Sequence, residues 1–431
     1  MDKNITQRKI WLRLTLLGLV AGLLASVAVL LFRECIELAR TLLLADGDYG
    51  TLAPWIRLLL PIVGGLLLGL AFDRLPVHLR QVGVVHVLSR LHTAGGERLP
   101  LGNLVTQFIG GVVAIASGHS VDREGPAVHI GAASANLAGQ GIRLSSDEDY
   151  TLAACGAAAA IAAVFNTPLA GIVFVIEVLR VPYSVSRFLP IITASVVGAV
   201  LSQAVLGPDP AFATPALSLG SLRELPNLLV LGLVTGGLSA VFILIVETTA
   251  LRARHWPCSV SFTLAGLLTG ILGYWTPQIM GVSYHSLAAM LTGEVGWQLV
   301  IAMLFTKLLA TSVSVGLRVP GGLIGPTLFV GGAAGSATGL LFATLTPLDG
   351  GTVSFYAVVG MVAMMGATLR APLAALTALL ELTANPNIIL PGMLAVATAE
   401  LTNRLVLGKD SVFDILLQIQ QKPPPSAGTG H

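Results

Sequence analysis

Charge-free apolar stretches recur along almost the whole chain, and they constrain its fold more than any other feature. Leu14 to Phe32, Leu99 to Val121, Tyr150 to Ile176 and Pro226 to Val246 contain no charged side chain. Neither do Trp256 to Thr292, Val319 to Leu348, Gly350 to Leu369 and Leu382 to Ala399. A helix crosses the hydrocarbon core with about 20 predominantly apolar residues, so these stretches read as membrane helices. Some are long enough to hold two shorter or tilted ones. Only 11% of residues are Asp, Glu, Lys or Arg, against roughly a quarter in soluble domains, so a soluble globular fold is excluded. The expectation is an all-α integral membrane protein with about ten to twelve spans or partial spans. Lys3, Arg8, Lys9 and Arg13 precede the first run. Without a small-residue cleavage site, that run reads as a retained helix with a cytoplasmic N-terminus.

The remaining composition narrows the function. Lys and Arg number 24 against 22 Asp and Glu, a formal charge of +2, so no basic field exists to hold nucleic acid. Cys35, Cys155 and Cys258 lie far apart in or beside apolar segments, which supplies neither a disulfide framework nor metal-ligand spacing. His86, His119, His129 and His285 show no close metal-type spacing either, so no metal or other cofactor is expected. An intramembrane hydrolase is the enzymatic alternative, but Ser117-Gly118-His119-Ser120 has no partner motif elsewhere, and nucleophile and base must meet. The chain reads as a non-enzyme.

The 48 Gly and 23 Pro are interleaved with the apolar runs. Many spans are therefore broken or closely packed, and non-helical backbone at membrane depth belongs where it lines a solute site. An internal repeat locates that site. Gly125 to Gly139 aligns without gaps to Gly325 to Gly339, sharing Gly125/Gly325, Pro126/Pro326, Gly131/Gly331, Ala133/Ala333 and Gly139/Gly339. Asn166 to Val178 matches Arg370 to Leu382, with Pro168/Pro372, Leu169/Leu373, Ala170/Ala374 and Glu177/Glu381. The pattern implies an inverted-topology duplication, with residues 1–225 and 226–420 as the halves and 421–431 as a short disordered tail.

Each Gly-Pro pair opens an apolar helix, since Pro is preorganised for the first turn. Helix starts carry partial positive charge and unpaired N–H donors, so two of them converging at mid-membrane would bind an anion without a buried lysine. Asp122-Arg123-Glu124 precedes the first pair. Charges at membrane depth are functional by default, and the Glu124 carboxylate is expected to occupy the helix-start donors as a tethered substitute for the permeant ion, leaving when protonated or displaced. The competing reading is a capping Glu paired to Arg123 at the membrane surface. For Lys307, Arg370, Glu177 and Glu381, structural pairing or capping is favoured over transport, because Glu177 and Glu381 occupy equivalent repeat positions.

These residues resemble the CLC chloride channels and chloride/proton antiporters over nearly the whole membrane chain. Arg123-Glu124-Gly125-Pro126 looks like the family's G-(K/R)-E-G-P motif, and Gly322-Leu323-Ile324-Gly325-Pro326 like its G-x-F-x-P motif. Phe165 to Gly171 followed by Glu177, and Gly408 to Phe413, resemble two further family stretches. The resemblance implies a homodimer in a bacterial inner membrane, each subunit with its own anion pathway and without a C-terminal CBS domain. It also implies gating by Glu124 beside Arg123 and Gly125, and a central chloride or similar small inorganic anion held by Gly322 and the N–H groups of Leu323 and Ile324.

Four positions depart from the family pattern. Asp122 replaces a glycine and adds a charge near the gate. The family's central-site serine falls in Gln81 to Val85, in the best register at Val82, and the hydroxyl-bearing tyrosine becomes Phe413. Each lost donor to an anion costs about 1.5–3 kcal/mol, so weak central chloride binding is expected. Val178 stands where the antiporters carry their internal proton glutamate, which brings proton coupling into question, although Glu124 remains and Glu177 offers a relay. Pro126 argues against the fluoride-exporting branch, and the nitrate-type proline is absent. A secondary transporter of another anionic solute on the same scaffold is the alternative.

Overall fold

A computed structural model describes residues 2–44, 47–93, 98–140, 142, 144–210, 212, 217–293, 295–345, 352–408 and 410–421, for residues 2–10 by backbone alone. Among these residues there are seventeen α-helices. The first half contains α1 (Asp2–Leu43), α2 (Pro54–Arg74), α3 (Gly83–His92), α4 (Leu101–Ala116), α5 (Glu124–Ala138), α6 (Ser146–Phe165), α7 (Pro168–Glu177) and α8 (Val185–Leu206). The second contains α9 (Leu225–Arg252), α10 (Cys258–Trp275), α11 (Tyr284–Leu291), α12 (Trp297–Gly316), α13 (Ile324–Leu345), α14 (Val353–Leu369), α15 (Pro372–Thr383), α16 (Ile389–Leu407) and α17 (Val412–Gln421).

Among the described residues, eight helices are long and apolar enough to cross a membrane, and α4, α7, α14 and α15 are shorter apolar helices. The fold is an all-helical membrane bundle of broken spans. The stretch Tyr150 to Ile176 divides into α6 and α7 at Asn166, whose left-handed φ of 57° ends α6 before Pro168 opens α7. The stretch from Trp256 likewise divides into α10 and α11. The spans α2, α8 and α12 lie outside the charge-free stretches: Arg57 and Asp73 bracket most of α2, Arg187 sits in the first turn of α8, and Lys307 interrupts α12. Gln421, assigned by the sequence to a disordered tail, is instead the last residue of α17, whose Val412, Phe413, Ile415 and Ile419 are buried. Residues 422–431 of that tail lie outside the described residues.

The repeat is visible hydrogen bond by hydrogen bond. Ser117 N–H donates to Val113 O at 3.0 Å and Leu317 N–H to Val313 O at 2.8 Å. Val121 N–H donates to His119 O at 2.9 Å and Gly321 N–H to Val319 O at 2.7 Å. Arg370 ends α14 in the left-handed conformation, φ 54°, as Asn166 ends α6. The carboxylate at the end of α7 caps the start of α15 and that of α15 caps the start of α7, so these equivalent helices run antiparallel and the repeat is inverted.

At the centre α5 packs on α6 and α13 on α14, all four buried over most of their surface. Small residues permit this packing. A Cβ at Gly131 or Gly156 would overlap the other's carbonyl oxygen, and Gly331 and Gly360 cross in the same way. Close backbone approach of this kind supplies van der Waals contact where lipid offers no hydrophobic driving force. The outer helices present exposed leucines, such as Leu16, Leu31, Leu67 and Leu233, as hydrocarbon contact requires.

Candidate anion site

The two Gly-Pro elements meet at one point. Asp122 N–H donates to Gly322 O at 3.2 Å and Gly322 N–H returns to Asp122 O at 3.1 Å, forming an antiparallel bridge between equivalent repeat positions. From this bridge α5 and α13 begin two residues later on either side. The halves come so close that a Cβ at Gly322 would overlap Asp122 Oδ1 and lie 2.6 Å from Gly125 N. Only glycine fits at 322.

Three of the helix-start donors are taken by Asp122. Its Oδ1 accepts from Glu124 N and Gly125 N, each at 3.1 Å, and its Oδ2 from Gly325 N at 2.6 Å. The sequence placed Glu124 in this role, but Glu124 is fully buried at the first position of α5 and neither of its carboxylate oxygens accepts a hydrogen bond. Arg123 Nε stands 3.5 Å from Glu124 Oε1, Arg123 Nη1 3.7 Å from Glu37 Oε1, and the guanidinium 5.4 Å from the Tyr284 ring centroid. Burial also removes the reading of Glu124 as a surface cap, since Asp122 does the capping. A Cβ at Gly325 would lie 2.8 Å from the Tyr284 hydroxyl and 3.2 Å from Glu124 Oε2, so both groups face the start of α13. Among the described residues, no acceptor takes the N–H of Leu323 or Ile324.

Cavities open on both sides of this junction. One, of about 720 Å³, reaches Arg123 and Tyr284 and includes Arg33, Arg40 and Glu37. The other, of about 330 Å³, is lined by Val82, Gly125, Gly322, Leu323 and Phe413. Four of the five residues assigned by sequence to a central anion therefore share one cavity. Ile324 is buried at the first position of α13 and does not line it. Val82 immediately precedes α3 in extended conformation, which brings that helix start to the cavity as well. A third space, of about 220 Å³, is lined by Glu177, Val178, Arg370 and Asp410.

Glu177 Oε1 and Oε2 accept from Leu373 N at 3.1 Å and Ala374 N at 2.7 Å. Glu381 mirrors this on Leu169 N and Ala170 N, both at 2.8 Å. The Lys307 ammonium is fully buried and donates to Ile279 O, Gly281 O and Ser283 Oγ at 2.9, 3.1 and 3.0 Å. It thereby fixes the turn that delivers Tyr284. Sequence reasoning missed the reach of Asp122 to Gly325 and the place of Tyr284. Asp two residues before a helix start is a capping signal, but its second partner lies 203 residues away.

The model of the voltage gated chloride channel family matches residues 64–404. A putative chloride channel protein ClcB-like from Ralstonia nicotianae is 31% identical over 414 residues, covering 93% of this chain and 95% of that protein. The H(+)/Cl(-) exchange transporter ClcA of Salmonella arizonae is 31% identical over 331 residues, 74% of this chain and 69% of that one. Among solved structures, a slow cyanobacterial Cl-/H+ antiporter superposes with a TM-score of 0.84 at 21% identity, covering 95% of this chain and 99% of that chain, a likeness of fold. With its inverted repeat and with a family match across most of its length, the chain belongs to the voltage gated chloride channel family, the CLC proteins, whose members are channels or transporters.

Proposed function

We propose that this protein moves chloride or a similar small inorganic anion across the membrane, past the junction of α5 and α13, with Glu124 as the gate beside Arg123 and Gly125. The observation that carries this is the convergence of two helix N-termini from opposite halves between two cavities. The dipoles and free N–H groups there favour an anion. The neighbouring cavity offers backbone at Gly322 and Leu323 but apolar side chains at Val82 and Phe413, which supports weak central binding. Proton coupling is not supported on this reading. Val178 carries no carboxyl group, and the Glu177 carboxylate is committed to two backbone donors of α15. The protein works as a homodimer in a bacterial inner membrane, as its family resemblance implies.

The test is simultaneous chloride and proton flux from liposomes holding purified wild type or Glu124→Gln. Chloride flux that changes on Glu124→Gln, with no uphill proton movement, is the expected result. Chloride-driven uphill proton movement abolished by Glu124→Gln would identify an exchanger and overturn the uncoupled part. Absence of any halide flux from folded protein would overturn the anion assignment.

A further inference from the structure

We propose that Asp122 is a second tethered anion of this pathway: its carboxylate holds the meeting point of the two helix starts and has to release Glu124 N, Gly125 N and Gly325 N before a permeant anion binds there. The inference rests on the anion-transport reading and adds a residue that controls occupancy of the same site.

A helix cap would need only α5. Oδ1 meets that need by accepting from Glu124 N and Gly125 N. Oδ2 goes further, crossing to the other half of the molecule to take Gly325 N at 2.6 Å. One carboxylate thus satisfies donors from both N-termini, which is the coordination a free anion at this junction would seek. Its repeat mate is Gly322, whose missing Cβ leaves the space that Oδ1 fills. The bridge itself needs no side chain at either residue, because it is made by backbone groups.

A second observation marks the place as contested. Glu124 is fully buried without a hydrogen bond to either oxygen, the Tyr284 hydroxyl has none, and both face the start of α13 at Gly325. Buried carboxylates are costly without donors, and Asp122 already holds three of the N–H groups at the junction, leaving those of Leu323 and Ile324 without an acceptor among the described residues. Two carboxylates and a permeant anion therefore compete for one set of N–H groups. Removing the charge of Glu124 alone leaves Asp122 in possession.

The experiment compares chloride efflux from liposomes for wild type, Asp122→Gly, Glu124→Gln and the double variant, with chloride binding measured by calorimetry in detergent. Asp122→Gly is expected to raise chloride affinity at least ten-fold, and the double variant to conduct at least ten-fold faster than Glu124→Gln. If Glu124→Gln alone conducts as fast as the double variant, or if folded Asp122→Gly binds chloride no better than wild type, Asp122 is a structural clasp and the proposal fails. Should Asp122→Gly not fold, Asp122→Asn decides, since it keeps an acceptor oxygen without the charge: tighter chloride binding supports the proposal and unchanged binding overturns it. Absence of chloride flux and binding from every folded variant, wild type included, is the distinct failure of the transport reading itself.

Discussion

Replacing Glu381 or Glu177 by Ala tests the inverted repeat where its chemistry is symmetric. Each substitution strips two N–H groups at the start of the opposite short helix of a charged acceptor: Leu169 and Ala170 for Glu381, Leu373 and Ala374 for Glu177. Loss of a helix N-cap costs about 1 kcal/mol and up to about 2. Removing a negative charge from the helix start adds about 0.3–1 kcal/mol. Each variant should therefore lose about 1.5–3 kcal/mol, and the two losses should agree to within about 1 kcal/mol because the geometry is mirrored. The caps sit at opposite ends of an antiparallel pair roughly 15 Å long for ten residues, far enough apart that the double variant should lose the sum. Reversible unfolding in mixed micelles, followed by tryptophan fluorescence, measures this. Glu177→Ala should also leave the ratio of proton to chloride flux at its wild-type value. The reasoning is refuted if Glu381→Ala stays within about 0.5 kcal/mol of wild type, or if Glu177→Ala changes the flux ratio at unchanged stability.

Three further outcomes follow from the site. Gly322→Ala places a Cβ on Asp122 Oδ1 and 2.6 Å from Gly125 N, so chloride flux should be lost; Asp122→Gly should not rescue it, because the clash with Gly125 persists, and a rescued flux would contradict the packing. Phe413→Tyr adds a hydroxyl at the cavity shared by Val82 and Leu323 and should tighten chloride binding by about 1.5 kcal/mol, roughly ten-fold; calorimetry showing no change would mean that this ring does not face the ion. Val178→Glu introduces a carboxyl group at the space lined by Glu177, Arg370 and Asp410, and liposomes carrying it should show chloride-driven uphill proton movement absent from wild type.

How far the sequence reached depended on how local each determinant is. The paired Gly-Pro helix starts and the small residues at Gly131 and Gly331 are encoded in short stretches, so the repeat and its inverted bundle were legible from identities alone. The duplicated Glu177 and Glu381 signalled a cap, but only the folded chain reveals that each caps the other's helix, since the donors lie 196 to 212 residues away. Counting uncharged residues passed over α12 because Lys307 lies in its middle. That charge is tolerated because three oxygens surround the ammonium, a property of the turn at 279–283 and not of the helix. The histidines without metal-type spacing in the sequence include a buried pair that only the fold brings together: His86 Nδ1 lies 2.9 Å from His129 Nε2 across 43 residues.

The duplication also separates structural from functional chemistry. Where both halves carry the same group, as at Glu177 and Glu381 or at the glycines of the two helix crossings, the group does the same structural job twice. An anion pathway on a pseudo-two-fold axis would gain no gate from such symmetry, because anything placed once would be met again. Polarity at the junction has to come from positions where the halves differ. Among those positions are Asp122 against Gly322, Glu124 against Ile324, and, at the same offset of 200, Gln107 against Lys307. The first pair puts a carboxylate on the donors of both helices, the second a buried carboxyl group beside it, and the third a cation that fixes the turn carrying Tyr284 toward them. All three asymmetries converge on the start of α13, so a substitution that changes selectivity or gating without unfolding the protein should fall among these pairs before any symmetric one.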